Sequence, residues 1–238
     1  MPPTATQGPA WLVLPTFNEA GYLEQLVRSA LANMPAGSRI LVVDDNSPDG
    51  TGEIAERLAA ELPLEVLHRP KKEGLASAYV AGFGHVLGQG AGLVLQMDAD
   101  LSHDPADLRR LIEAGDRADV VLGSRYVPGG EVCDWSLLRR AISRGGSTYA
   151  RLVLGVGVSD LTGGFKCFRR EVLESIDLDD ISSQGYAFQV EMTYRALQRG
   201  FKVLEIPIVF RDRRVGESKM SRAIVLEAVW RVPLLRFR

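Results

Sequence analysis

The chain has 238 residues, a mass of 26.0 kDa and a formal net charge of −2, with 46% hydrophobic and 24% charged residues. This length is enough to bury one substantial core, and the composition is typical of a soluble globular domain. A net charge so close to zero gives no electrostatic reason to expect nucleic-acid binding. The charge is uneven, because residues 201–238 hold nine Lys or Arg and four Asp or Glu. We therefore expect the basic C-terminal part to contact a different partner from the rest of the chain.

Three features of the sequence predict a cytoplasmic protein. The first ten residues, MPPTATQGPA, lack the basic and apolar segments of a signal peptide. No stretch of the sequence reaches the ~18–20 apolar residues that are needed to cross a bilayer. The two cysteines, Cys133 and Cys167, have no CxxC or Cys/His spacing, which favours isolated thiols in a reducing compartment over a structural zinc site.

In the first half of the chain, apolar runs of strand length alternate with amphipathic stretches of helical length. The predicted strands are residues 11–15, 39–45, 64–69, 93–97 and 119–125. The predicted helices between them are residues 21–33, 51–62, 74–88 and 105–115, the last with Pro105 in its first turn. Strands that are apolar throughout and alternate with helices predict an α/β fold, with a mostly parallel central sheet flanked by helices.

The second half departs from this alternation. Its pattern predicts a long helix over residues 136–155, a glycine-rich turn over 160–170, a helix over 186–200 and a strand over 201–210. No linker or low-complexity tract separates it from the first half. We expect it to extend the same domain and to supply a second binding surface.

The residues best suited to binding or catalysis follow the predicted strands, at the edge where α/β sheets bind their ligands. They lie in segments 15–19, 44–50, 98–102 and 124–125. In the sequence LQMDADLSHDP, an extended backbone would put the carboxylates of Asp98 and Asp100 on one side and Ala99 on the other. Two like charges at that distance repel unless a cation lies between them.

Three functional classes use paired acids after strands. A receiver-type phosphorylation site would explain VVDDN, but such a strand normally opens its domain, and here another βα unit precedes it. A haloacid-dehalogenase-like phosphatase would use DADLS as a nucleophile motif, with Ser102 in the place of Thr or Val. In the third class, Mg²⁺ or Mn²⁺ bridges the acids to a diphosphate, since these ions prefer a few carboxylates together with phosphate oxygens.

The order of nine motifs favours the third class. They are LPTFNE, VVDDNSPDGTGEIA, GLASAYVAGF, LQMDADLSHDP, GSRYVPGG, ISRGGSTYARLVLG, DLTGGFKCFRRE, GYAFQVEM and IPIVFRDRRVGESKM. Together they resemble the family 2 glycosyltransferases, and within them the dolichol or polyprenol phosphate mannose synthases. The resemblance implies a single Rossmann-like A-type glycosyltransferase domain over residues 11–220, with a nucleotide-sugar half at 11–125 and an acceptor half at 126–220. Residues 1–10 are then expected to be disordered, and 221–238 to form an amphipathic basic segment.

The resemblance also implies a donor site. It would consist of Pro15, Phe17, Glu19, Asp44, Asp45, Asp98, Ala99 and Asp100. Carboxylates suit such a site because a guanine edge offers donors and a ribose offers hydroxyls. The alternative for Asp44 and Asp45 is that they cap the turn before the next helix, a role that Asp49 also fits.

Further residues are implied to act on the diphosphate and the acceptor. Asp98 and Asp100 would hold the metal, and Asp100, Arg125, Arg213 and Lys219 would form the reaction centre, with 211–219 acting as a lid or remaining a solvated loop. Arg139 and Ser143 are four residues apart on one helix and would bind the acceptor phosphate, with Arg140 and Arg144 as an alternative pair of the same spacing. Glu191 lies near the position where other family 2 enzymes hold a catalytic acid, whereas His103 is expected to be a simple exposed loop residue.

The implied reaction is inverting transfer of mannose from GDP-mannose to a polyprenyl monophosphate, with Mg²⁺ or Mn²⁺ as cofactor. The alternatives are a UDP-glucose-dependent glucosyltransferase on the same fold and a non-catalytic nucleotide-sugar-binding subunit. The lipid acceptor predicts a peripheral location at the cytoplasmic face of a membrane, with a possible membrane-embedded partner protein. The sequence SRAIVLEAVWRVPLLRFR suits an anionic membrane surface or a helix packed on the domain, and Pro233 is expected to limit its helix.

Overall fold

The computed structural model describes residues 8–181, 183–212 and 222–237 of the chain. Its strands are β1 Ala10–Thr16, β2 Arg39–Asp44, β3 Leu64–His68, β4 Leu93–Gln96, β5 Val120–Ser124, β6 Glu131–Val132, β7 Lys166–Arg169, β8 Val203–Pro207 and β9 Val209–Phe210. Its helices are α1 Leu23–Asn33, α2 Thr51–Ala59, α3 Leu75–Gly88, α4 Asp107–Ala114, α5 Leu137–Leu154, α6 Arg170–Ser175, α7 Gly185–Gln198 and α8 Arg222–Leu235. The five strands and four helices predicted for the first half are confirmed. α2 ends three residues early, and α4 begins two residues after Pro105.

Seven strands form one sheet in the order β3-β2-β1-β4-β7-β5-β8, and β6 pairs with β9 in a separate ribbon. All neighbours in the large sheet are parallel except β7, which is antiparallel to both β4 and β5. This arrangement confirms the α/β fold with a mostly parallel sheet. β1 begins at Ala10, and the Gly92 N–H donates to the Pro9 carbonyl at 2.9 Å, so ordered structure precedes residue 11.

The apolar strands are buried on both faces of the sheet, as their unbroken hydrophobic runs require. Along β1, Trp11 and Val13 face a core that includes α3, α5 and α7, whereas Leu12 and Leu14 face a core that includes α1, α2 and α4. This alternation follows directly from the period of two in an extended strand.

The segment that precedes β7 reaches the same edge of the sheet as the ends of the parallel strands, because β7 runs the opposite way. The prediction of a turn over the whole of residues 160–170 was therefore wrong. Two charged residues in the strand made it look exposed, but both side chains are buried against polar partners. Lys166 donates to the Gln189 carbonyl at 2.6 Å, and Arg169 donates to the Gly115 carbonyl at 2.7 Å.

α8 continues through Pro233, which corrects the expectation that this proline limits the helix. Proline lacks an N–H, so the carbonyl four residues earlier, that of Val229, loses its helical partner. The Tyr149 hydroxyl of α5 donates to this carbonyl at 2.8 Å and replaces the lost hydrogen bond. The buried Val232 and Leu235 also pack α8 into the core. In the described parts of the chain, no helix combines the length and the apolar character that a bilayer span needs.

Candidate active site

A cavity of about 410 Å³ lies at the carboxyl edge of the parallel strands. Its walls come from the ends of β1, β2 and β4, the loop before β7, and the first turns of α3 and α7. Seven of the eight residues predicted to bind a donor line it, namely Pro15, Phe17, Glu19, Asp45, Asp98, Ala99 and Asp100. The structure therefore brings these residues together, and their role in binding stays a prediction.

The adjacent acids after β2 have different surroundings. Asp45 lines the cavity and accepts a 2.6 Å hydrogen bond from the buried guanidinium of Arg69. Burial raises the pKa of Asp45, and the charge of Arg69 opposes that shift. Asp44 turns away from the cavity wall and accepts a 2.6 Å hydrogen bond from the Ser47 hydroxyl. Asp44 thus has the turn-stabilising role that was the alternative for the pair, while Asp49 bonds the N–H of Thr51 at the start of α2.

Asp98 and Asp100 come directly after β4, and both line the cavity. Both are half-buried, and Ala99 between them lines the same cavity, so the two carboxylates reach one site without the strict alternation that an extended strand predicts. The Tyr79 hydroxyl lies 3.4 Å from Asp98 Oδ1. Burial and the Asp98 charge raise the pKa of Tyr79 well above its usual value, so this hydroxyl remains a donor. The Ser102 N–H donates to Asp100 Oδ1 at 3.1 Å and fixes that side chain.

This carboxylate pair fits a cation that takes most of its ligands from a substrate. No group of three or more His, Cys, Asp or Glu in the described ranges is arranged to hold a metal ion alone. Mg²⁺ and Mn²⁺ commonly bind one or two carboxylates together with phosphate oxygens and water. Asp98 and Asp100 are suited to that mode of binding, in which the metal and a diphosphate bind together.

A buried polar network lies beneath the cavity. Gln96 Nε2 donates to the Gly164 carbonyl at 2.9 Å and to Gln189 Oε1 at 2.7 Å, and both Gly164 and Gln189 line the cavity. The Lys166 ammonium is fully buried and donates to the Gln189 carbonyl and, at 3.0 Å, to Thr193 Oγ1. Burial lowers the pKa of Lys166 to about 7, although the charge of Asp160 opposes this shift.

Arg125 forms a buried ion pair that sequence reasoning did not find. Its Nε and Nη2 donate to the two carboxylate oxygens of Asp160, both at 2.7 Å, and its backbone N–H donates to Asp160 at 3.0 Å. Burial alone would lower the pKa of Arg125 and raise that of Asp160. The ion pair reverses both shifts, so the pKa of Arg125 is raised and that of Asp160 is lowered. The signal in the sequence was the polar DLT segment immediately before β7.

The acceptor residues predicted on α5 lie beside a second cavity of about 250 Å³ between α5, α7 and α8. Ser143 lines it and accepts a 2.7 Å hydrogen bond from the Tyr126 hydroxyl. Arg139 is placed next to it, where its guanidinium donates to Asp212 at 2.7 Å and stacks 4.1 Å from the Trp135 ring centre. Most of the wall is apolar. The predicted Arg213 and Lys219 lie outside the described residues.

His103 is buried, contrary to the expectation of an exposed loop histidine. Its ring lies 4.9 Å from that of Phe165 and 5.1 Å from that of Phe210, measured between ring centres. Burial lowers the pKa of His103, so the ring is neutral in this environment. Glu191 is also buried, and it holds Arg195 at 2.6 Å and the Ser183 N–H at 3.2 Å. Glu191 therefore positions the segment before α7 and is absent from the described walls of both cavities.

Comparisons with known proteins agree with this geometry. The sequence model of "Glycosyl transferase family 2" matches residues 11–177. A polyprenol monophosphomannose synthase of Mycolicibacterium smegmatis is 47% identical over 93% of this chain and 84% of its own length. An undecaprenyl-phosphate mannosyltransferase of Micrococcus luteus is 49% identical over 91% of this chain and 89% of its own length. The crystal structure of glucosyl-3-phosphoglycerate synthase from Mycobacterium tuberculosis, with Mn²⁺, UDP and product, superposes with a TM-score of 0.70 at 18% identity, covering 95% of this chain and 80% of that one.

Replacement of Asp160 by Asn should greatly destabilise the protein, because it leaves the buried guanidinium of Arg125 without its counter-charge. We expect a loss of about 3–5 kcal/mol in the free energy of unfolding, measured by urea denaturation. The control is Glu61→Gln, which breaks the exposed 3.2 Å pair with Arg28 and should cost about 0–1 kcal/mol. Equal losses for the two variants would contradict the proposed importance of the buried pair.

Lys166→Met should change how stability depends on pH. The unfolded lysine keeps its proton up to its ordinary pKa of 10.5, whereas folded Lys166 loses it near 7. The unfolded state therefore binds more protons between these values, and wild-type stability should rise relative to the variant by about 2 kcal/mol from pH 7 to pH 9. Urea denaturation at both pH values measures this difference, with Lys202→Met as the control at an exposed lysine. A constant difference between wild type and Lys166→Met would show that the shifted titration is absent.

Proposed function

The chain belongs to glycosyl transferase family 2, and from this membership we propose that it transfers mannose from GDP-mannose to a polyprenyl monophosphate. The observation that carries the proposal is the similarity to two curated relatives over more than nine-tenths of the chain. One is named for polyprenol monophosphomannose synthesis and the other for mannosyl transfer to undecaprenyl phosphate. At nearly half identical residues, the same reaction class is the simplest expectation for this chain.

The first cavity is suited to the nucleotide sugar. Glu19 and Asp45 line it and offer carboxylate acceptors to the N–H groups of a guanine edge or to the ribose hydroxyls. Phe17 and Pro15 lie on the same wall, where the Lys72 ammonium is 3.9 Å from the centre of the Phe17 ring. The diphosphate would then lie near Asp98 and Asp100, at the opposite side of Ala99 from the core.

Asp98 and Asp100 are the residues that we propose to hold Mg²⁺ or Mn²⁺. A divalent cation at this position supplies positive charge that neutralises the departing diphosphate. The structure of glucosyl-3-phosphoglycerate synthase, which shares the fold, contains Mn²⁺ and UDP. That precedent supports a divalent metal for this site without deciding between the two ions.

The acceptor needs little activation. The second pKa of a phosphate monoester is near ~6, so an acceptor oxygen is already ionised at neutral pH. Among the described residues that line the two cavities there is no histidine to act as a general base. We propose a single displacement with inversion at the anomeric carbon, through an oxocarbenium-like transition state, giving a polyprenyl phosphate β-mannose.

The second cavity is suited to the acceptor end. Ser143 would bind the acceptor phosphate, and Arg139 would contribute its charge from the next turn of α5. Ile142, Val190 and Val232 would contact the first isoprene units. Asp100 and Arg125, with Arg213 and Lys219 in the segment outside the described residues, complete the proposed reaction centre.

α5 and α8 form a surface that suits contact with a membrane. Nine large apolar residues are exposed among those whose side chains the structure describes, and all but Leu75 lie on α5, on α8 or just after it; they are Leu137, Leu138, Ile142, Leu152, Val229, Trp230, Leu234 and Phe237. α5 also carries four arginines and no carboxylate. Exposed apolar side chains beside arginines are typical of a surface that lies on anionic lipids. One face of α8 packs on the domain through Val232 and Leu235, and we propose that the exposed Val229, Trp230 and Leu234 contact lipid.

Transfer of radiolabelled sugar into an organic-extractable lipid tests the reaction. With polyprenyl phosphate and Mg²⁺ or Mn²⁺, we expect label from GDP-mannose and little from UDP-glucose. EDTA should abolish it, and Asp98→Asn or Asp100→Asn should lower it about 100-fold or more, because charge on the diphosphate is then poorly compensated. Asp104→Asn is the matched control, since Asp104 is exposed and outside the described cavity walls.

The alternative outcomes separate the competing functions. Label from UDP-glucose alone would replace the proposed donor while keeping the acceptor. A covalent phosphate on Asp98 would instead favour the phosphatase interpretation. Nucleotide binding without any lipid label would favour a non-catalytic binding subunit or a missing membrane partner.

Sedimentation with lipid vesicles tests the membrane surface. We expect the wild type to bind vesicles that contain phosphatidylglycerol and to bind less at high salt, because exposed charges are screened. Trp230→Asp should weaken binding about 10-fold, since a large apolar side chain no longer enters the interface. Gln89→Asp adds the same charge at the exposed residue that follows α3 and should have little effect. Equal binding by both variants would contradict the proposed surface.

A further inference from the structure

Thr162 lies where the two cavities meet. Among the described residues, only Thr162 and Tyr186 line both of them. Thr162 is half-buried in the loop between Asp160 and β7. In the proposed reaction the leaving diphosphate occupies one cavity and the attacking phosphate enters from the other. A side chain at this junction is therefore close to both.

The Thr162 hydroxyl has three hydrogen-bond neighbours, Arg125, Ser147 and Asp160. Arg125 Nη2 donates to Thr162 Oγ1 at 3.0 Å, and Ser147 Oγ lies 2.9 Å from the same oxygen. The other acceptor near the Ser147 hydroxyl is Asp160 Oδ1, at the longer distance of 3.5 Å. When Ser147 donates to Thr162, both acceptor positions of the Thr162 oxygen are filled.

The remaining internal acceptor for the Thr162 proton is a poor one. Asp160 Oδ1 lies 3.4 Å from Thr162 Oγ1 and already accepts the 2.7 Å bond from Arg125. A phosphate oxygen at an ordinary hydrogen-bond distance would be a stronger acceptor, because a hydrogen bond is weak at the 3.4 Å that separates Thr162 Oγ1 from Asp160 Oδ1.

We propose that the Thr162 hydroxyl donates a hydrogen bond to a phosphate oxygen of the substrates at the junction of the two cavities. This inference rests on the proposed function and adds a catalytic residue to it. The oxygen belongs either to the acceptor monophosphate or to the donor diphosphate, which share this chemistry. Arg125, by donating to Thr162, acts on that phosphate through the threonine as well as by its charge.

The loop that carries Thr162 is held in advance of binding. Glu205 of β8 accepts hydrogen bonds from the N–H groups of Ser159 and Asp160 at 2.8 and 2.9 Å, and from the Ser124 hydroxyl at 2.7 Å. Donors fixed before the reaction stabilise developing charge without the cost of reorganisation. Thr162 therefore has the rigid support that such a donor needs, and its present acceptor, Asp160 Oδ1, is at the long distance of 3.4 Å.

Two matched pairs of variants test the hydroxyl. Thr162→Val differs from the wild type by loss of the hydroxyl, and Thr162→Ala differs from Thr162→Ser in the same way. Within each pair, the rest of the side chain keeps nearly the same size. The measurements are kcat and KM for mannosyl transfer, calorimetric binding of GDP with Mg²⁺, and calorimetric binding of farnesyl phosphate. Melting temperatures identify any variant that fails to fold. If Thr162→Val disrupts the loop, the comparison of Thr162→Ser with Thr162→Ala still tests the hydroxyl.

Both variants without the hydroxyl should lose about 10- to 100-fold in kcat/KM, the expected effect of one hydrogen bond to a charged group, and Thr162→Ser should retain most activity. Weaker farnesyl phosphate binding would identify the acceptor as the source of the oxygen, whereas weaker GDP binding would identify the donor. Unchanged binding and turnover in both pairs, or a wild type that binds neither probe, would overturn the inference. Weaker phosphate binding by the variants in a protein that transfers no mannose would support the inference and overturn the proposed function.

Discussion

The guanidinium of Arg125 and the carboxylate of Asp160 are both withdrawn from water, so each compensates the buried charge of the other. Arg125 follows β5, and Asp160 belongs to the loop before β7, so the ion pair joins the end of one strand to the entrance of its antiparallel neighbour. A buried ion pair stabilises little relative to apolar packing, but it is costly to break. Its main consequence here is that the position of the loop before β7 is fixed. Both cavities depend on that loop, because Thr162 lines both of them.

The wall of the first cavity carries charges of both signs. The carboxylates of Asp45, Asp98 and Asp100 line it together with Lys72, whereas Arg125 and its counter-ion Asp160 are buried outside that wall. A donor diphosphate would repel the carboxylates of Asp98 and Asp100 unless a cation binds with it. The two acids after β4 therefore favour joint binding of a metal ion and a diphosphate.

Most of the fold could be predicted from the sequence, because the first half follows simple periodicity. The paired acids were also identifiable, since they directly follow an apolar strand. β7 could not be recognised, because Lys166 and Arg169 are charged in a strand whose side chains are all buried. Their partners, the carbonyls of Gln189 and Gly115, come from distant segments that no local pattern reveals.

The functional residues that the sequence did not reveal, Asp160 and Thr162, also depend on β7. Without β7, nothing in the sequence places Asp160 beside Arg125 or Thr162 between two cavities. Asp44 and Asp45 could not be told apart for a related reason. Asp44 binds the Ser47 hydroxyl within its own turn. Asp45 instead binds Arg69, which follows a different strand, β3. Local patterns thus identify which strand ends hold candidate functional residues, whereas tertiary contacts determine the partner of each side chain.

The second cavity and the apolar surface of α5 and α8 are continuous, because Ile142 and Val229 belong to both. A polyprenyl phosphate has a charged end and a long apolar chain, so removing the whole molecule from a bilayer would expose a large apolar area to water. A protein that lies on the bilayer avoids this cost if only the phosphate and the first isoprene units leave the lipid. The apolar wall beside Ser143 suits those units, and the hydroxyls of Ser143 and Thr162 suit the phosphate. The proposed reaction would then require the lipid to move by only a few isoprene units, with the proposed membrane surface of α5 and α8 at the interface.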